Sequence, residues 1–138
     1  MKFPICFHTD DGKNYSGLVP DISGCYGAGD SLDAALADIE QAIHAHLELL
    51  AEDGETIPEA SQLQDLVKNP DYAEGTWMVV DIDITPYLGK AKKINVTLPA
   101  YLIHQIENEI KENKSFKSRS QFLAEAALNM IHKKNNAA

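Results

Sequence analysis

The sequence predicts an α+β fold, made of two small modules within a chain of 138 residues. In the first part of the chain, short segments in which apolar and polar residues alternate lie before and after one long helical pattern. The second part contains one such segment followed by two helical patterns. The charge changes sign between them. Residues 1–89 carry three lysines and seventeen acidic residues, a net −14, whereas residues 90–138 carry nine basic and four acidic residues, a net +5. This asymmetry indicates two modules with different partners.

The first module is expected over residues 1–86 in the order β-β-β-α-β. Its first two strands flank Asp11-Gly12, a strong signal for a hairpin turn. Leucine, isoleucine and alanine then recur at steps of three and four, which predicts an amphipathic helix, and Gly54 supplies its stop. A turn or two of helix is also expected in the polar connection around 61–67. The predicted strands span 2–9, 15–22, part of 23–30, and 76–84, and the long helix spans about 31–52.

The second module is expected over residues 93–134, after a linker over 87–92. It opens with KINVTLP, in which apolar and polar side chains alternate as in a half-buried strand. Pro99 ends that strand and suits the first turn of a helix. Ser118 is the expected N-cap of a second helix, and Gln121 completes the pattern of a capping box. The predicted helices span about 100–113 and 118 to about 132.

The predicted strand of the second module has no partner within the chain, and this indicates a dimer. An unpaired strand would expose a row of N–H and C=O groups, and about 45 residues make a very small core. Antiparallel pairing with a second copy removes both problems, because two-fold symmetry makes the ribbon self-complementary. A tetramer would require the first modules to pair as well. The side chains expected in the dimer interface are Ile94, Val96, Leu98, Ile106, Phe122 and Leu123.

The polar face of this ribbon predicts DNA binding. Lysine, asparagine and threonine read base edges, and a two-stranded ribbon fits the major groove. The N-terminus of the second helix is placed to hold a phosphate. The residues expected to bind DNA are Lys93, Asn95, Thr97, Ser118, Arg119 and Ser120. With KSRSQFLAEAA, the segment resembles the ribbon-helix-helix family of DNA-binding repressors over about 93–131. The alternative is an interface strand with two helices and no role in DNA binding.

Nearly the whole chain resembles the HicB antitoxin family. The motifs that carry the resemblance are Pro20-Asp21, Gly24-Cys25, Ala28-Gly29-Asp30, Ile57-Pro58 and Tyr87-Leu88-Gly89-Lys90. The resemblance implies a reduced RNase H-like first domain that occludes the active site of a HicA-type mRNA-cleaving toxin. It also implies a second domain that binds the operator of its own operon and represses it. A net charge of −14 suits a basic partner. The resemblance does not indicate which residues of this chain contact the toxin.

The sequence does not predict an enzyme. Asp81 and Asp83 are expected on one face of the last strand, but a two-metal nuclease needs several converging carboxylates. His44 and His46 lie two apart on a helix and so point about 200° apart. We therefore expect no catalytic residue, metal or cofactor. Two alternatives stay open: a degenerate RNase H-like nuclease tethered to DNA, and a ribbon-helix-helix regulator whose first domain senses a ligand.

The composition also bears on the compartment. No apolar run approaches the roughly 20 residues that a membrane helix needs, and the first residues lack a signal-peptide pattern. Cys6 and Cys25 lack CxxC spacing and are expected to be buried, reduced thiols. We expect a cytoplasmic protein with no membrane partner.

Overall fold

The structure is a computed structural model that describes the backbone of residues 1–136 and the side chains of residues 1–133. The chain forms two compact units, Met1–Tyr87 and a second that begins at Leu88. The first contains a four-stranded antiparallel sheet, and the architecture is α+β as predicted. Within the described residues, no helix is long and apolar enough to span a bilayer.

The sheet has the strand order β3-β2-β1-β4, so the last strand in sequence pairs with the first. All three pairings are antiparallel. The strands are β1 (Lys2–His8), β2 (Tyr15–Leu18), β3 (Tyr26–Gly29) and β4 (Thr76–Asp81). The helices are α1 (Leu32–Glu52), α2 (Leu63–Leu66), α3 (Ala100–Glu112) and α4 (Arg119–Asn136). Two 3₁₀ turns, Pro70–Tyr72 and Thr85–Tyr87, complete the first unit.

Helix α1 packs on one face of the sheet because glycines on β2 and β3 leave room for it. A Cβ at Gly29 would lie 2.5 Å from the backbone nitrogen of Ala35, and one at Gly17 would lie 2.5 Å from Cδ1 of Ile39. The Ser31 hydroxyl begins the helix by accepting the Ala34 N–H at 3.0 Å, as expected of an N-cap. The fully buried residues of this core include Phe3, Ile5, Ile39, Ile43, Leu47 and Ile84.

Strand β4 ends at Asp81, three residues before its predicted end. Asp83 therefore lies outside the strand on which it was predicted, although exposure still alternates beyond Asp81, with Ile82 and Ile84 buried. Asp81 Oδ1 accepts a hydrogen bond from the N-terminal ammonium group at 3.3 Å. Asp83 Oδ1 accepts the Thr85 N–H at 3.0 Å and holds the following 3₁₀ turn. Each carboxylate has a structural partner of its own.

The second unit is a pair of packed helices, α3 and α4. Ile106 is only 3% exposed, and the rings of Phe116 and Phe122 meet edge to face with centroids 5.0 Å apart. The predicted bounds of α3 hold to within one residue, whereas α4 continues four residues beyond its predicted end. Residues 93–98 form no strand within the chain. A strand is defined by its bonds to a neighbouring strand, so the ribbon stays a prediction.

Candidate functional site

The segment expected to read DNA is exposed along its length in the single chain. Lys93, Asn95 and Thr97 are all exposed. Ile94 and Val96, the apolar residues between them, are 76% and 59% exposed. These two side chains alternate with the polar ones, so they form an apolar face that a second surface would cover.

The loop before α4 is held by one buried amide side chain. Gln121 is 7% exposed; its Oε1 accepts the Lys117 N–H at 2.8 Å, and its Nε2 donates to the Ser115 carbonyl at 3.2 Å. The Ser118 hydroxyl accepts the Gln121 N–H at 3.1 Å, which confirms Ser118 as the N-cap. A capping box would have directed the glutamine to the N–H of Ser118 itself. The side chain instead bonds one residue earlier and fixes the α3–α4 loop.

Arg119 opens α4 and already has an acidic neighbour. Its Nη1 lies 3.6 Å from Oε1 of Glu107 on α3, and the two side chains are 61% and 50% exposed. A pair this exposed and this long contributes little to stability. The guanidinium is therefore accessible to a stronger anion.

The two histidines of α1 have close polar partners, and the two cysteines of the first unit are buried. His44 Nδ1 lies 2.6 Å from the Tyr87 hydroxyl, and His46 Nδ1 lies 2.8 Å from the Ala42 carbonyl oxygen. Burial raises the pKa of the Cys6 thiol and raises that of Cys25 to about 11, so both thiols are poor nucleophiles at neutral pH. Within the described residues, no three His, Cys, Asp or Glu side chains are grouped to hold a metal ion.

The face of the sheet opposite α1 carries a concave surface that the sequence did not reveal. Two hollows of about 430 and 530 Å³ adjoin on it and share His8, Ser16 and Ala28. We call this surface the sheet trough. In the sequence, only the small residues of β2 and β3 point to this surface. Whether a small residue makes room for α1 or lies in the trough depends on which face of the sheet α1 covers.

The model of the HicB-like antitoxins of bacterial toxin–antitoxin systems matches residues 3–127. The chain belongs to this family. A protein from the rep-hol intergenic region of Haemophilus phage HP1 is 39% identical over 132 residues, which is 95% of this chain and 98% of the phage protein.

Solved structures of HicB antitoxins resemble the chain closely. The Burkholderia pseudomallei antitoxin HicB is 38% identical with a TM-score of 0.75, over 93% of this chain and 96% of that one. Its N-terminal domain alone is 37% identical with a TM-score of 0.54, and the match covers 60% of this chain and 99% of that domain. A chain from a HicA3–HicB3 toxin–antitoxin complex is 28% identical with a TM-score of 0.52, again over 60% of this chain and 99% of that one.

Proposed function

We propose that this HicB-family antitoxin occludes the active site of a HicA-type mRNA-cleaving toxin and represses its own operon. The first unit would bind the toxin and the second would bind operator DNA as a dimer. The main support for a toxin partner is the structural match to a chain from a HicA3–HicB3 toxin–antitoxin complex. Both tasks would take place in the cytoplasm, where mRNA and operator are found.

The size of the matched chains supports toxin binding by the first unit. The chain from the toxin complex and the isolated N-terminal domain each correspond to 60% of this chain, close to the extent of Met1–Tyr87. The first unit is also the acidic one, with a net charge of −14 over residues 1–89. An acidic surface attracts a basic RNA-binding protein and speeds association.

The second unit supports DNA binding through a ribbon-helix-helix dimer. The exposed Ile94 and Val96 would become the inner face of a ribbon formed with the second copy, together with Leu98. The outer face would present Lys93, Asn95 and Thr97 to the major groove. Arg119 and its neighbours at the start of α4 would hold the phosphates on either side.

The test uses the full-length protein and a HicA-type toxin, which the proposal expects to be encoded in the same operon. We expect wild-type protein to stop mRNA cleavage by that toxin and to bind a fragment of its own promoter. Asn95→Ala should weaken specific promoter binding by about 1–3 kcal/mol and leave toxin inhibition unchanged. Gel-shift titration and a cleavage assay measure the two effects. Unabated cleavage at excess antitoxin would refute toxin neutralisation, and an undiminished Asn95→Ala complex would refute base reading by the ribbon.

A further inference from the structure

We infer that the sheet trough is the surface that receives the toxin, and that a basic segment of the toxin lies over Ser16 and Ala28. The inference rests on the proposed function, since it assigns a place on the first unit to the toxin contact. The occupant is a basic protein segment lying on the face of the sheet.

The strand register makes the surface concave. Ser16 lies opposite His8 on one side and Ala28 on the other, and opposed residues of an antiparallel pair share one face. Two small side chains thus stand side by side on neighbouring strands, while Tyr26, 67% exposed, rises beside them. The two hollows join over this small-residue floor.

The trough is one part of this face that the chain itself leaves open; Val79, on the same face at β4, is 46% exposed. Toward β4, the same face is closed by the segment before that strand: His8 Nε2 lies 3.2 Å from the Ala73 carbonyl oxygen, and a Cβ at Gly75 would collide with the Cys6 sulfur. Cys6 is fully buried as a result. Ser16 and Ala28, on the next two strands, are exposed.

The charges of the lining favour a basic occupant. Asp38 lines one hollow and Asp10 lines the other. No lysine or arginine lines either hollow. Basic groups of a partner would meet one carboxylate in each hollow. The exposed Tyr26 lines the same hollow as Asp38 and supplies a large apolar surface there. Tyrosines of this kind often dominate binding energy at interfaces.

The edge of the sheet argues for binding on the face. Asp38 Oδ2 accepts the Ala28 N–H at 3.0 Å, so that outward backbone donor of β3 is already occupied. With this donor occupied, addition of another strand at the β3 edge, including one from a second copy, is less favourable. The occupant we propose therefore packs across β1, β2 and β3.

The experiment measures binding of the purified toxin of the same operon to full-length variants by titration calorimetry. Ala28→Arg puts bulk and positive charge into the trough, and we expect a loss of at least about 100-fold in affinity. Tyr26→Ala removes an exposed side chain and should weaken binding by roughly tenfold or more. Ala37→Arg makes the same change as Ala28→Arg at an exposed position of α1 and should leave affinity within about twofold.

Thermal melting of each variant separates misfolding of the first unit from loss of contact, and promoter binding shows that the second unit is unaffected. If Ala28→Arg melts early, Tyr26→Ala decides the question. Wild-type affinity in both trough variants would overturn the inference while leaving the antitoxin function intact. Absence of binding by the wild-type protein would instead refute the proposed function. A change of oligomeric state in Tyr26→Ala, measured by light scattering, would overturn the inference by assigning the trough to a second copy.

Discussion

At the scale of single residues, Asp11 organises the loop between β1 and β2. Its Oδ1 accepts the backbone N–H groups of Lys13 and Asn14, each at 2.8 Å, and its Oδ2 accepts a hydrogen from the Asn14 side chain at 2.8 Å. These hydrogen bonds favour the ionised carboxylate and lower the pKa of Asp11 to about 2. The same loop supplies Thr9, Asp10 and Asn14 to the sheet trough, so its order matters for the proposed toxin contact.

The shift gives Asp11→Ala a pH-dependent effect on stability. The pKa is lower in the folded state than the ordinary value of 3.8, so the carboxylate stabilises the fold above that value. This stabilisation is lost as the pH falls through about 2. We expect Asp11→Ala to lower Tm at pH 7 and the gap from wild type to narrow below about pH 4 in thermal melts. Asp10→Ala, one residue away, is the matched control and should leave Tm nearly unchanged. A gap that stays constant down to pH 2 would contradict the assignment.

At the scale of elements, Arg119 at the start of α4 lies close to Glu107 of α3 and is also the residue proposed to bind a DNA phosphate. Glu107 competes with phosphate for the same guanidinium. An exposed pair contributes about 0–1 kcal/mol, which corresponds to a factor of up to about five. The pair is thus weak enough for phosphate to displace it, and removing Glu107 can strengthen phosphate binding by at most about fivefold.

A double-mutant cycle tests this competition. Glu107→Gln should strengthen promoter binding by about two- to fivefold, because Arg119 is released. Arg119→Gln should weaken binding to all sequences and flatten the salt dependence. Glu107→Gln in the Arg119→Gln background should then have no further effect. Glu109→Gln carries the same charge change on the same helix and serves as the control. Equal gains from Glu107→Gln and Glu109→Gln would show a general charge effect instead of a contact through Arg119.

The elements differ in how far the sequence could predict them. Asp11-Gly12, the stripe of α1 and the Ser118 cap are local signals, and the structure has each where it was expected. The end of β4 is set by the reach of β1, where Lys2 pairs with Asp81, and this depends on strand register. The bond from Lys117 to Gln121 depends on the loop conformation. The position of the sheet trough depends on which face of the sheet α1 covers, and no local sequence pattern predicts that face.

At the scale of the whole molecule, the two units divide the proposed tasks by charge and by exposed apolar surface. The first unit buries its core between the sheet and α1 and carries most of the acidic residues, and Tyr26 is its most exposed large apolar side chain. The second leaves Ile94, Val96, Tyr101 and Met130 exposed, which is typical of a unit completed by another chain. Under the proposed function, toxin neutralisation would need one copy of the first unit, whereas operator binding would need two copies of the second.

Ile94→Asp should therefore separate the two functions. A charge on the inner face of the ribbon would be buried without a partner, so we expect the dimer to dissociate and promoter binding to be lost. Toxin inhibition should persist, because it depends on the first unit. Light scattering gives the oligomeric state, and the gel-shift and cleavage assays give the two activities. Val67→Asp places the same charge at a 51%-exposed apolar residue of the first unit and should leave the dimer intact. A dimeric Ile94→Asp protein that still binds its promoter would show that the two copies meet through a surface other than the strand at 93–98.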